Sequence, residues 1–244
     1  RVHIVISSIE KVVPTLADAT TLLRLLGRSA TGQEMTSYTT FSTGPRHLAD
    51  RDGPEEYHVV LIDNGRSEIL GTPYREILHC IRCGACLNYC PVYGAIGGHA
   101  YGWVYPGPMG AVLTPLLLGR KKTRHLPQAC TLNGRCQTVC PMNIPLPELL
   151  RQLRIDAWQH KDTPRAIRWV GRSLAFVAGH PRLYARFAAF SARVLDALGG
   201  QRGRLRSLPF LGGWTGSRDL PIPRGKTFQD QWKQYKEHHE EKKP

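Results

Sequence analysis

The chain has 244 residues, 41% of them hydrophobic and 21% charged, and carries a net charge of +14. This length and balance suit one or two domains with a real core and exclude a disordered chain. No run of about 18 or more apolar residues occurs, and the opening residues lack the basic and apolar pattern of an export signal, so neither a membrane-spanning helix nor secretion is expected.

The chain opens on Arg1 instead of Met and enters the apolar run Val2 to Ile6 at once, which is how an interior fragment begins. Residues 1–72 read as α/β. Val2 to Ile6 suits a buried strand, Pro14 punctuates it, and Leu16 to Leu26 places leucines at helical spacing. Tyr57 to Ile62 is a second strand. Asp63-Asn64-Gly65 then offers tight-turn chemistry for a hairpin into Ser67 to Leu70, because Asn and Gly accept positive φ. Glu10 and Lys11 could form an acid/base pair, but adjacent charges after a strand are more often structural.

A short helix over Tyr74 to His79 is expected to deliver Cys80 to the most informative segment of the chain. Cys80, Cys83, Cys86 and Cys90-Pro91 form a C-x2-C-x2-C-x3-C-P run, the spacing of two-cluster bacterial ferredoxins, in which three thiolates hold one cluster and the fourth reaches the other. Cys130, Cys136 and Cys140-Pro141 form a second run, with Asn133 standing where its remaining thiol belongs. The crosswise rule assigns Cys80, Cys83, Cys86 and Cys140 to one [4Fe-4S] cluster, and Cys90, Cys130 and Cys136 to the other. All seven cysteines are then used. Disulfides would leave one thiol over, and structural zinc prefers separated C-x2-C pairs.

The second cluster is open between two forms. A seven-thiolate set resembles the seven-iron ferredoxins, which carry a [3Fe-4S] cluster; the rival is a [4Fe-4S] cluster completed by Asn133, water or another side chain. His99 is a candidate for that last role, although a hydrogen-bonded loop histidine is the ordinary reading. Small residues at Gly84, Ala85 and Gly134 leave room for amides to approach sulfur, and Ile81, Leu87, Val92 and Ile144 could supply an apolar shell. Such a pattern points to electron transfer rather than bond-making. No phosphate loop, nucleophile elbow or dinucleotide fingerprint accompanies it.

From Val92 to Gly119 the chain is rich in Gly, Pro and aromatics, long for a connection, and is expected to order around the clusters or a partner. After Pro147 the pattern is helical to about residue 198. Ile167, Val170, Leu174 and Val177 share one stripe and Arg165, Arg168 and Arg172 another; beyond Gly179 and Pro181, Leu183, Phe187, Phe190 and Val194 begin a third. The apolar stripes are expected to pack against the rest of the protein. Between Arg151 and Arg206, twelve basic residues face three acidic ones, a surplus able to steer an acidic partner or an anionic membrane surface. No nucleic-acid motif is present. The chain ends in a charged run, Lys236 to Lys243, in which His238 and His239 read as solvated tail.

Across most of its length the chain resembles the lactate-utilization iron-sulfur protein family. The likeness rests on Ile9-Glu10-Lys11-Val12-Val13-Pro14-Thr15, Val60-Leu61-Ile62-Asp63-Asn64-Gly65-Arg66, the run from Cys80 through Tyr93, Gly97-Gly98-His99-Ala100-Tyr101, and Arg218-Asp219-Leu220-Pro221. The resemblance implies an α+β chain: the last part of a LUD-type α/β domain over 1–72, an α-helical two-cluster ferredoxin domain over 73–160, and a helical basic C-terminal region over 161–244. It further implies an electron-transfer subunit, without catalytic residues of its own, in a complex that oxidises L-lactate to pyruvate with sister subunits. A ferredoxin-like subunit of another 2-hydroxy-acid or heterodisulfide oxidoreductase is the alternative, and a cluster-stapled, non-redox interaction protein is another of a different class. Reduced thiols in metal runs place such a protein in the cytoplasm, with the basic helices allowing contact at the inner face of the membrane.

Overall fold

The computed structural model describes residues 1–199, 203–207, 216–223 and 225–240; residues 241–244 of the charged tail and the His239 side chain lie outside the described residues. The chain divides into two compact units, residues 1–163 and 164–244.

The first unit opens with strand β1 (Val2–Ser8) and helix α1 (Leu16–Thr31). Thr15 caps α1, its hydroxyl oxygen accepting from the Asp18 amide at 3.1 Å, and Gly32 ends it in the left-handed region at φ 74°. Strand β2 (Glu56–Ile62) pairs with β1 in parallel, from Val2 opposite Glu56 to Ser8 opposite Ile62. A parallel pair usually has both faces covered. Here Val2, Ile4, Ile6, Val59 and Leu61 are exposed.

The expected hairpin after β2 is replaced by helix α2 (Arg66–Leu70). Asn64 and Gly65 do adopt positive φ, 44° and 78°, as the turn chemistry required. The Asp63 carboxylate, however, accepts from the amides of Gly65 at 3.1 Å and Ser67 at 2.8 Å and from the Ser67 hydroxyl at 2.8 Å. These bonds satisfy the first donors of a helix, so the chain turns into α2 and β2 finds its partner in β1 instead.

The remaining helices of this unit are α3 (Ala85–Asn88), α4 (Pro91–Ile96), α5 (Gly107–Leu118), α6 (Arg120–Thr123), α7 (His125–Ala129), α8 (Arg135–Thr138) and α9 (Leu146–Gln159). The segment expected as a long connection is therefore largely helical, and α5 is its buried centre. Gly110 explains how: a Cβ there would lie 1.7 Å from the Tyr105 carbonyl oxygen, so only glycine lets α5 pass so close to the preceding loop. Val112 of α5 and Leu150 of α9 have no exposed surface, and Ile77, Ile144, Leu146 and Leu153 join them in one core.

The second unit contains α10 (Arg165–Ala178), α11 (Pro181–Gly199), a short antiparallel pair β3 (Arg204–Leu205) and β4 (Leu220–Pro221), and α12 (Phe228–Glu240). The expectation that the apolar stripes are packed is not met. Ile167, Val170 and Leu174 of α10, and Leu183, Phe187, Phe190 and Val194 of α11, are exposed. The physical reason in α11 is that its small residues face inward: Ala192 is buried, and Gly199 lies so close to Ile222 that a Cβ would meet its Cδ1 at 2.1 Å. Among the described residues no helix is long and apolar enough to cross a membrane.

Candidate iron-sulfur site

The two cysteine runs adopt the same backbone path fifty residues apart. A single 3-10 turn, Arg75–His79, leads into Cys80, and α7 leads into Cys130. Two residues on, Arg82 and Leu132 both hold positive φ, 63° and 55°. Gly84 (φ 78°, ψ −4°) then starts α3 and Gly134 (φ 82°, ψ −12°) starts α8, placing Cys86 and Cys136 on one-turn helices. Cys90 caps α4, with Pro91 in the helix's first turn and the Tyr93 amide 3.4 Å from its sulfur.

This repeat places Asn133 in the position that Cys83 holds in the first run. The likeness extends to hydrogen bonding: the Ala85 amide donates to the Cys83 sulfur, and the Arg135 amide donates to Asn133 Oδ1 at 3.3 Å. Asn133 is exposed. His99 is exposed too, in the 3-10 turn His99–Tyr101, and borders a broad surface hollow with Tyr93 and Trp103 rather than the cavity that holds Cys90 and Cys130.

Cys80, Cys83, Cys86 and Cys140 line one cavity of about 400 Å³, walled by Ile81, Leu87, Tyr105, Met109, Ile144 and Leu146. Cys90 and Cys130 line a second, of about 20 Å³, with Val92, Tyr101, Leu126 and Leu150. Cys136 is buried and interacts electrostatically with Cys130 and Cys90. The thiols surround their cavities rather than closing on a point: among the described residues, no three His, Cys, Asp or Glu side chains group as they would around a single ion. Burial pushes the thiols of Cys86 and Cys136 up to about 12 and about 11, and raises that of Cys83. Positive iron beside them is what would make them thiolates.

The first site fits a [4Fe-4S] cluster by donor set, room and amide hydrogen bonds to sulfur. The second is lined by two of its three thiols, Cys90 and Cys130, and has space for about one water molecule, so a cluster there needs the side chains around it to move aside.

A charged group that the sequence did not disclose adjoins the first cavity. Glu10 Oε2 lies 2.8 Å from Arg66 Nε, the two side chains only 7% and 6% exposed. The contact lies off the hydrogen-bond direction and is a buried ion pair. Glu10 Oε1 also faces Arg82 at 3.4 Å and Lys11 at 4.0 Å. Burial works to raise the Glu10 carboxyl, yet its own backbone amide, Arg66 and Ser8 outweigh that and hold it below the usual carboxylate value. Glu10 is thus paired more closely with Arg66 than with its neighbour Lys11. No one-dimensional signal marked Arg66 or Arg82, because their shared partner is more than fifty residues away.

Comparison with known proteins agrees with this geometry. The LUD domain family matches residues 1–62, and the 4Fe-4S dicluster domain family matches residues 76–144. The chain is thus an iron-sulfur protein that joins LUD-domain sequence to a dicluster domain, with an α+β fold. Over 96% of its length it is a homologue of proteins named Lactate utilization protein B, at 44% identity to that of Shouchella clausii and 43% to that of Macrococcus caseolyticus. It is 41% identical to the Escherichia coli protein named Uncharacterized electron transport protein YkgF. The chain spans about half the length of these relatives, 49% to 50%. No solved structure matches it.

Proposed function

We propose that this protein relays electrons through two iron-sulfur clusters in the oxidation of L-lactate to pyruvate. The observation that carries this reading is the crosswise gathering of thiols: Cys140, from the second run, lines the cavity of Cys80, Cys83 and Cys86. Those four residues would hold a [4Fe-4S] cluster. Cys90, Cys130 and Cys136 would hold the second, a [3Fe-4S] cluster, since Asn133 stands where the first run has the thiol of Cys83; a [4Fe-4S] cluster with a non-cysteine ligand is the other form. The thiols of Cys86 and Cys136 interact across the two sets, so the clusters would lie close enough to exchange electrons.

What the clusters supply is one-electron storage. The chain's own residues bind them, exclude water with Leu87, Ile144 and Leu146, and donate amide hydrogens to sulfur. Lactate utilization enters through the names of the homologues. The partners are accordingly sister subunits of a lactate-oxidising system, one of them catalytic. Deleting the gene should abolish growth on L-lactate, with rescue by the native protein and not by the Cys83→Ser, Cys86→Ser variant. Undiminished growth of the deletion strain would overturn the reading.

A further inference from the structure

Among the described residues the wall of the four-thiol cavity carries two cations and no carboxylate, and both cations pair with Glu10 behind it. The two are Lys11 and Arg82. The Lys11 ammonium donates to the backbone carbonyl oxygen of Cys80, so the cation sits on the main chain of a predicted ligand. The Arg82 guanidinium lies over the Tyr105 ring, 4.3 Å from its centre, and points a nitrogen at Met109 Sδ, 3.1 Å away. Tyr105 and Met109 are themselves walls of the cavity. Arg66 stands behind, with its own nitrogen 3.4 Å from the Tyr105 hydroxyl. Among the described residues Lys11 and Arg82 pair with one carboxylate, that of Glu10, which Arg66 shares; Asp63 also acts on Arg66.

We propose that Lys11 and Arg82 are potential-setting residues for the cluster held by Cys80, Cys83, Cys86 and Cys140, and that Glu10 orients them. The inference rests on the cluster assignment above. Its physics is elementary. A cluster on four thiolates becomes more negative by one charge when it accepts an electron, and a fixed cation in a water-poor wall favours that form. The pair therefore raises the reduction potential relative to the thiolate set alone. Because Lys11 comes from the segment just after β1, LUD-domain sequence acts directly on the electron carrier, which gives a reason for the two to share one chain. Arg154 of α9 plays a matching part in the repeat, donating to the carbonyl oxygen of Cys130, but it also binds the carbonyls of Pro127 and Gln128 and so closes α7.

The test is an anaerobic redox titration of the whole protein, followed by low-temperature electron paramagnetic resonance, with iron and sulfide counted in each sample. Lys11→Met should lower the midpoint potential of the four-iron cluster and leave the second cluster's unchanged, while Lys11→Arg keeps the native value. Should Lys11→Met lose its cluster, Lys11→Gln retains a hydrogen-bond donor for the Cys80 carbonyl without the charge, and should show the same downward shift. A merely structural role would reduce cluster content without moving the potential of the clusters that remain. An unmoved potential in a fully loaded Lys11→Met or Lys11→Gln protein overturns the inference and leaves the ligand assignment standing. A native protein that binds no four-iron cluster overturns both.

Discussion

Breaking the buried pair of Glu10 and Arg66 should be among the most damaging changes that spare every cysteine. Both side chains are almost fully buried, and their nearest atoms are 2.8 Å apart. Replacing either partner, as Glu10→Gln or Arg66→Met, takes the nearest counterion from a buried charge, at a cost of about 3–5 kcal/mol; the carboxylate left by Arg66→Met still faces Arg82 and Lys11, which puts that variant at the lower end. At roughly 2–4 °C per kcal/mol for a chain of this size, each single variant should lose roughly 6–20 °C in Tm. Glu10→Gln with Arg66→Met removes both charges together. Its cost should fall short of the sum of the singles by an interaction energy of about 1–3 kcal/mol, the remainder reflecting Lys11 and Arg82, which also lose their carboxylate. Thermal unfolding followed by far-ultraviolet circular dichroism under anaerobic conditions reads all four proteins. Single variants within roughly 2 °C of the native Tm, or a double variant whose loss equals the sum, would refute the argument.

The same carboxylate sets a pH dependence. Glu10 is held below the ordinary value of 4.5, so its contribution is fully present above that pH and is lost as pH falls through the depressed value. The Tm difference between native protein and Glu10→Gln should hold steady from neutrality down to that region and shrink below it; a difference that shrinks above neutrality contradicts the sign. Gly110→Ala should cost about 1–3 kcal/mol or more through its clash with the Tyr105 carbonyl. Gly94→Ala, in α4 with nothing within 4 Å of the added Cβ, should be neutral or slightly stabilising, which differential scanning of the two variants checks. Asn133→Cys places a thiol where the repeat puts Cys83, and iron analysis should find about one more iron per chain, with loss of any oxidised three-iron signal. Unchanged iron content in a folded Asn133→Cys protein counts against the equivalence of the two positions.

Ferredoxin spacing is local, and the structure lines one cavity with Cys80, Cys83, Cys86 and Cys140, the grouping that the crosswise rule expects, while Cys90 and Cys130 line another. The apolar wall was legible too, with Ile81, Leu87 and Ile144 at the first cavity and Val92 at the second. Asp63-Asn64-Gly65 misled, since two consecutive positive φ angles serve a hairpin and a helix entry alike. The decision fell to Ser67, whose amide and hydroxyl bind Asp63, and to the distant strand β1. Gly110 looked like loop composition, though its lack of a side chain is what allows α5 to pack against Tyr105. The ion pair of Glu10 and Arg66 was out of reach, because pairing across such a separation is set by tertiary packing and leaves no period or motif. The stripes of α10 and α11 were read correctly as amphipathic, but periodicity does not reveal whether a face is covered.

The central claim is that seven thiols hold two clusters, one complete and one lacking a cysteine. Low-temperature electron paramagnetic resonance on anaerobically prepared protein, before and after chemical reduction, tests it most directly. The account expects an oxidised three-iron signal together with a four-iron signal that emerges on reduction. No cluster signal in either state would contradict the claim as a whole, and two reduced four-iron signals without the oxidised one would contradict the three-iron form of the second cluster and mean that a ligand outside the cysteine set completes it.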